Sequence, residues 1–181
     1  LTQFIFRTGL MMKPVFEVAR RDPKRVCFAE GEEEIVLRSV QTILDEGFAK
    51  PILIGRPAVI EQRIARMGLK LRPGEDFEVT NIDSDPRYQE YWQHYHRIME
   101  RNGVTPANAK AIVRSRSSVI GALMVERGEA DAMISGIVGR FPRKLQYAQE
   151  VVGLEPGVDK PAAMSAITCD AGTFFFLDTY V

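Results

Sequence analysis

Apolar and polar positions along the chain follow two periods, and the changes of period divide it into elements. Gly9 to Arg21 places Leu10, Met11, Pro14, Val15 and Val18 on one helical face, with Pro14 tolerable only near the first turn. Asp22-Pro23 ends that helix, and Arg25 to Ala29 is a short continuous apolar run, the pattern of a buried strand. Glu32 to Glu46 carries Ile35, Val36, Ser39, Val40, Ile43 and Leu44 at helical spacing and is closed by Gly47. Pro51 to Ile54 predicts a second strand, Ala58 to Met67 a helix ended by Gly68, and Phe77 to Thr80 a third strand. Pro86 to Arg101 predicts a helix bearing Tyr88, Tyr91, Trp92 and Tyr95 as a stripe that packs on the sheet. Thr105-Pro106 has the form of a helix cap followed by a first-turn proline. It opens a helical stretch to Arg127 with a break near Arg116. Ala130 to Ile134 predicts a fourth strand and Pro142 to Val152 a helix, after which Gly153 to Pro161 is rich in turn residues. Ala163 to Cys169 and Thr173 to Leu177 then read as a hairpin around Asp170-Ala171-Gly172.

Strands that alternate with helices predict an α/β fold, a three-layer αβα arrangement on a mostly parallel sheet. The terminal hairpin departs from that alternation. The expected organisation is a linker or docking helix over residues 1–21, a first α/β domain over 22–153 and the start of a second over 154–181. The chain begins at Leu1 and ends in the apolar run Gly172 to Val181, which suggests a segment of a longer protein.

Composition narrows the function. The 181 residues carry 24 basic and 24 acidic side chains, and 45% are hydrophobic. Disorder is excluded, and no net positive field favours nucleic acid. No apolar run reaches the ~18 residues that span a bilayer. Cys27 and Cys169 are far apart and in no CxxC, so reduced thiols and a cytoplasmic setting are expected, with no zinc site. His94 and His96, two positions apart on a helix, cannot share one metal ion.

Two strand-to-helix turns are candidate ligand sites, because ligands in such sheets bind beyond the carboxyl ends of the strands. The first is Ala29-Glu30-Gly31 followed by Glu32, Glu33 and Glu34. Bare amides there suit a phosphate, but the glutamates would repel it, and complementing a helix dipole is the favoured reading for them. The second is Ser135-Gly136, followed by the basic stretch Arg140, Arg143 and Lys144. There Ser135, Gly136 and Arg140 can hold a phosphate or an acyl-CoA, or the stretch is an ordinary solvated helix start. Asp178 is either a site carboxylate or a local turn residue. No dinucleotide fingerprint, P-loop or nucleophile elbow occurs.

Four segments then carry a resemblance: Lys24 to Arg38 (KRVCFAEGEEEIVLR), Glu46 to Pro57 (EGFAKPILIGRP), Gly128 to Gly136 (GEADAMISG) and Gly172 to Val181 (GTFFFLDTYV). Together they resemble the phosphate acetyl/butyryltransferase family. Gly9 to Phe16 (GLMMKPVF) and Asp85 to Tyr95 (DPRYQEYWQHY) are similar to one subgroup, the phosphotransacetylase-like C-terminal region of bacterial malic enzymes. The resemblance implies a phosphotransacetylase-like, isocitrate/isopropylmalate dehydrogenase-like fold with an acyl-CoA cleft between two domains. It implies a parent that oxidatively decarboxylates malate with NADP or NAD and Mg or Mn, through malic and dinucleotide-binding domains upstream. It also implies homo-oligomer formation and acetyl-CoA as an effector. Glu30, Gly31, Ser135, Gly136, Arg140, Arg143 and Asp178 are the acyl-CoA or phosphate candidates, and no catalytic residue is assigned within the segment.

Departures from the family pattern matter as much. Where the family has an R-K-H-K-G arginine stands Met99, and where it has the R-P-A-L-Q arginine stands Gln146. The H-[ST]-[ST] after Ser-Gly is replaced by Gly139-Arg140-Phe141. The family's catalytic Asp and Ser would follow Val181. A regulatory and assembly role is therefore expected over acyl transfer, with an active phosphate acetyltransferase as the alternative.

Overall fold

The computed structural model describes residues 2–169 and 171–178. Two compact units are present: Asp22–Gly153, and a smaller one that groups the N-terminal helix with the residues after Gly153.

The larger unit is built on a four-stranded parallel sheet, β1 (Lys24–Phe28), β2 (Ala49–Ile54), β3 (Glu78–Thr80) and β4 (Ala132–Ile134), in the order β3-β2-β1-β4. Parallel strands covered on both faces read as continuous apolar runs, which is why 51–54 shows no alternation. The strand period of two splits those runs between two cores. Phe28 and Leu53 face one side, where α2 (Glu34–Glu46) and α3 (Pro57–Met67) supply Val36, Leu37, Val40, Ile60 and Ile64. Cys27, Ile52 and Ile54 face the other, covered by α4 (Tyr88–Met99), α5 (Pro106–Ser115), α6 (Ser117–Glu126) and α7 (Phe141–Val151). The result is the three-layer α/β fold expected.

Boundaries depart from expectation by a few residues. α2 starts at Glu34 rather than Glu32, because Glu30 to Glu33 form the turn above the sheet, with the Glu33 N–H donating to the Glu30 carbonyl at 3.0 Å. The long helical stretch does break at Arg116, an extended residue (φ −131°, ψ 91°). α6 is buried from Ser118 to Met124, apolar on every side, so it forms the centre of its layer rather than a surface helix. Gly121 lets it lie on the sheet: a Cβ there would stand 3.4 Å from Cys27 Sγ and closer still to Met133. The aromatic stripe of α4 is buried as core, against α5, α6 and α7, with Tyr91 and Tyr95 fully buried and Tyr88 and Trp92 partly so. Lys110 lies over the Trp92 ring at 4.4 Å. Burial pushes the Cys27 thiol up to about 12, so it stays a neutral core side chain.

Thr105 caps α5 with its hydroxyl, which accepts from the Asn108 N–H at 3.2 Å. Thr105→Ala is expected to destabilise the protein by about 1 kcal/mol. Urea unfolding checks this as a lower midpoint at unchanged slope.

In the smaller unit, α1 spans Thr2–Arg21 and runs through Pro14, which the sequence reading confined to a first turn. The proline forgoes its own N–H bond, while the flanking turns continue. The hairpin pairs β5 (Met164–Cys169) with β6 (Gly172–Leu177), from Met164↔Leu177 to Cys169↔Gly172. Among the described residues no helix is long and apolar enough to cross a membrane.

Candidate functional site

β1 sends the chain to β2 on one side while β4 lies on the other, so the strand order reverses between β1 and β4. The carboxyl ends of that pair are where such sheets bind ligands. Both candidate turns lie there: Ala29-Glu30-Gly31 leaves β1, and Ser135-Gly136 leaves β4. The Ala29 N–H donates to the Ile134 carbonyl at 3.0 Å and ties them together.

Glu30 is the hub of this edge. Its carboxylate, 7% exposed, accepts from Lys144 Nζ at 2.6 Å, Ser135 Oγ at 3.1 Å and the Gly136 N–H at 3.3 Å. Lys144 Nζ also donates to Ser118 Oγ at 2.7 Å, and Ser118 and Ser135 share a hydrogen bond of 2.9 Å. Three elements, α6, α7 and the turn after β4, are thereby locked to the end of β1. Glu30, Ser135 and Gly136 do come together, but their polar groups are engaged with one another. Gly31 contributes space rather than an amide. Its N–H donates to the Ile54 carbonyl at 3.1 Å, and a Cβ there would lie 2.8 Å from that same oxygen.

The other glutamates are paired as well. Glu32 takes a two-pronged contact from Arg56 (2.8 Å to each oxygen), Glu33 faces Arg63 at 3.6 Å, and Glu34 pairs with Arg66. The Glu32 carboxyl lies below its ordinary value, because the Arg56 hydrogen bond lowers it more than desolvation raises it. Glu34 stands in the first turn of α2, where an acid complements the helix dipole, and the row also fastens the start of α2 to α3 through Arg56, Arg63 and Arg66.

A cleft of ≈ 540 Å³ opens beside this hub. Glu30, Glu32 and Glu33 line it, as do Arg56, Lys144, Arg116, Arg140 and Arg143. The first two of those cations are paired. Arg116, Arg140 and Arg143 have no carboxylate within ion-pair distance among the described residues, so the cleft carries a local positive excess in a chain of zero net charge. α6 and α7 both begin at its wall, after Arg116 and Arg140, and the first N–H groups of a helix favour anions. Arg140 and Arg143 thus lie where the sequence placed them. Lys144 belongs to the basic stretch named from the sequence, whereas Arg116 and Ser118 lie outside both candidate turns; the only local signal for them is Arg114-Ser115-Arg116-Ser117-Ser118, a polar break between two helices.

A second cleft, ≈ 650 Å³, adjoins the first and shares Ser115, Arg116, Arg143 and Tyr147 with it. Met99 and Gln146 line it. Met99 is buried with its sulfur near the Asn102 amide (3.6 Å), and Gln146 donates to Glu150 at 2.6 Å. Asp178 belongs to the smaller unit. It adopts a left-handed conformation (φ 57°) at the end of β6, and its N–H donates to the Ala163 carbonyl at 2.8 Å, a turn role.

Comparison with known proteins agrees with this architecture. The phosphate acetyl/butaryl transferase family matches residues 10–181. An NAD-dependent malic enzyme of Rhizobium meliloti is 51% identical and an NADP-dependent malic enzyme of Salmonella typhimurium 48% identical, each over the full chain. The chain spans 24% of the length of each of these relatives. A phosphotransacetylase structure from Staphylococcus aureus superposes with a TM-score of 0.79 at 19% identity, covering 94% of this chain and 51% of that one. The matched range takes in the β1 and β4 turns, the arginine-lined cleft and the hairpin, and the chain belongs to the phosphate acetyl/butaryl transferase family.

Proposed function

We propose that the chain is the phosphotransacetylase-like region of a bacterial malic enzyme and serves regulation and assembly rather than acyl transfer. In this reading the parent oxidatively decarboxylates malate to pyruvate, the region binds acetyl-CoA as an effector, and it helps hold the subunits of a homo-oligomer together. The observation that carries it is the pairing pattern of the cleft. Arg116, Arg140 and Arg143 are left available for an anionic ligand, whereas the positions at which the family resemblance expects arginines hold the buried Met99 and the amide Gln146. Each missing charge-assisted contact is worth roughly 1.5–3 kcal/mol, so binding can persist at rebuilt contacts while transfer does not.

The nicotinamide cofactor and the divalent cation belong, in this proposal, to the parent's other domains. Among the described residues no three His, Cys, Asp or Glu side chains form a group able to hold a metal ion. The expected result is that saturating acetyl-CoA changes the rate or the malate affinity of the full-length enzyme, while CoA release from acetyl-CoA and phosphate stays at background. An unchanged malate rate curve rejects the effector role. Sustained CoA release establishes the transferase instead.

A further inference from the structure

We propose that the Glu30 carboxylate is an internal plug. It fills a preformed seat for a small carboxylate-sized anion, made by the Ser135 hydroxyl, the Gly136 N–H and the Lys144 ammonium group, and withholds those donors from anything that enters the adjoining cleft. This goes beyond the effector reading and does not depend on it.

The donor set is that of an anion site rather than of a simple ion pair. A hydroxyl, a backbone amide and a cation converge on one carboxylate, at 3.1, 3.3 and 2.6 Å. Oε1 takes all three, and the Gly136 N–H also reaches Oε2 at 3.3 Å. Hydrogen bonds to a charged acceptor are the strong ones. All three donors come from the turn after β4 and from α7, more than a hundred positions along the chain from Glu30.

The seat stands without its plug. Ser118 holds two of its members: Lys144 Nζ donates to Ser118 Oγ at 2.7 Å, and the Ser118 and Ser135 hydroxyls share a bond of 2.9 Å. Ser118 is itself buried, so the base of the seat is fixed in the core. The turn that carries Glu30 has its own supports. The N–H groups of Ala29, Gly31 and Glu33 donate to the carbonyls of Ile134, Ile54 and Glu30 at 3.0, 3.1 and 3.0 Å. The carboxylate can therefore leave while the backbone on both sides keeps its place. Glu30, Ser118 and Lys144 line the ≈ 540 Å³ cleft, which gives a small anion a way in. An anion that takes the seat displaces Glu30 and unties the turn after β1 from α7, so occupancy of the seat and attachment of α7 exclude one another.

Glu30→Ala removes the plug and keeps the seat. Hydrogen exchange of the full-length protein, read over residues 135–147 by mass spectrometry, is expected to quicken about 10-fold in this variant, because the Gly136 N–H and Lys144 lose a charged acceptor. Formate, a bare carboxylate, is then expected to restore most of the wild-type protection, whereas chloride at equal ionic strength does not. Wild type is expected to ignore formate, because Glu30 already holds the seat. Glu30→Gln, which fills the seat with an amide, is expected to ignore it too, as is Glu30→Ala combined with Lys144→Gln. If Glu30→Ala stays unprotected in formate, Glu30 is a structural tie and the proposal falls. A formate response of equal size in wild type, in Glu30→Gln or without Lys144 puts the anion elsewhere and overturns it as well. A Glu30→Ala chain that fails to fold even in formate also counts against it, because the backbone bonds of the turn then do not hold it without the carboxylate. These readouts involve neither acyl-CoA nor malate turnover, so the plug and the effector reading fail separately.

Discussion

Replacing Glu129 by leucine is expected to destabilise the protein by about 2–4 kcal/mol, because it removes an acceptor shared by three polar groups and leaves the buried Tyr91 hydroxyl without one. Glu129 lies in the Gly128 to Gly136 segment, and its carboxylate accepts from the Tyr91 hydroxyl at 2.6 Å, Arg127 Nε at 2.6 Å and an Arg87 guanidinium nitrogen at 2.8 Å. The Tyr91 ring is 1% exposed and has Arg87 and Arg127 within 5.4 and 5.5 Å of its centroid. Without the carboxylate, two cations approach one ring and a buried hydroxyl loses its acceptor. Arg87 keeps Asp85 and Arg127 keeps Glu90, which holds the cost below that of an isolated buried charge. Glu129→Gln keeps the shape and an acceptor oxygen and is expected to cost less than half as much. Urea unfolding of the two variants checks the order, and equal costs would mean that the charge, which both variants lack, decides rather than shape and hydrogen bonding.

The same cluster sets a pH dependence. Burial works to raise the Glu129 carboxyl, but the Tyr91 and Arg127 hydrogen bonds and the charges of Arg87 and Arg127 outweigh it, and the net position is below the ordinary value. A carboxyl depressed in the folded state contributes stability that is complete above its unfolded value and is lost as the pH falls through its folded value. The loss therefore begins below about pH 4.3. Glu129→Gln is expected to flatten the acid limb of stability and to leave the neutral and alkaline side parallel to wild type.

Most of the fold was legible because its signals are local. The stripe of α2, the glycines after α2 and α3, the Thr105-Pro106 cap and the uninterrupted apolar run of β2 each state one element without help from the rest. The site was legible in part. Arg140 and Arg143 line the cleft, and Ser135 and Gly136 follow the end of β4 and bind Glu30 beside it. Arg116 and Ser118 were not legible, because they lie in the middle of a different crossover, between α5 and α6 on the way from β3 to β4. The sequence shows only a break between helices there, and nothing local reveals that α6 starts against the ends of β1 and β4. The role of Glu30 was hidden for the same reason. Its partners Lys144, Ser135 and Gly136 lie more than a hundred positions away, so local charge suggested repulsion where the tertiary structure makes a hub.

Gly31 shows how a sequence signal can be right about place and wrong about cause, and it leads to the second large effect. Glycine after a strand suggests backbone open to a phosphate, yet here it lets the turn after β1 lie against the end of β2. A Cβ at Gly31 would stand 2.8 Å from the Ile54 oxygen, 2.8 Å from Leu53 Cβ and 2.9 Å from the Ile54 nitrogen. These are backbone and near-backbone atoms of a buried central strand, with Leu53 and Ile54 at most 1% exposed, so the neighbours cannot swing aside as a side-chain tip does. The turn must lift instead, which stretches the Gly31 N–H bond to Ile54 and carries Glu30 away from Lys144. Gly31→Ala is therefore expected to cost about 2–4 kcal/mol, overpacking plus part of one buried hydrogen bond. Gly47→Ala is the control. Gly47 has nothing within 4 Å of its Cβ position, and its φ of +69° leaves only the left-handed strain of a C-cap, about 1 kcal/mol. The two substitutions add the same methyl group, so a larger loss at position 31 separates close packing from conformational freedom. A loss at position 31 no greater than at position 47 would mean that the turn above β1 yields easily and that the Glu30 hub does not depend on it.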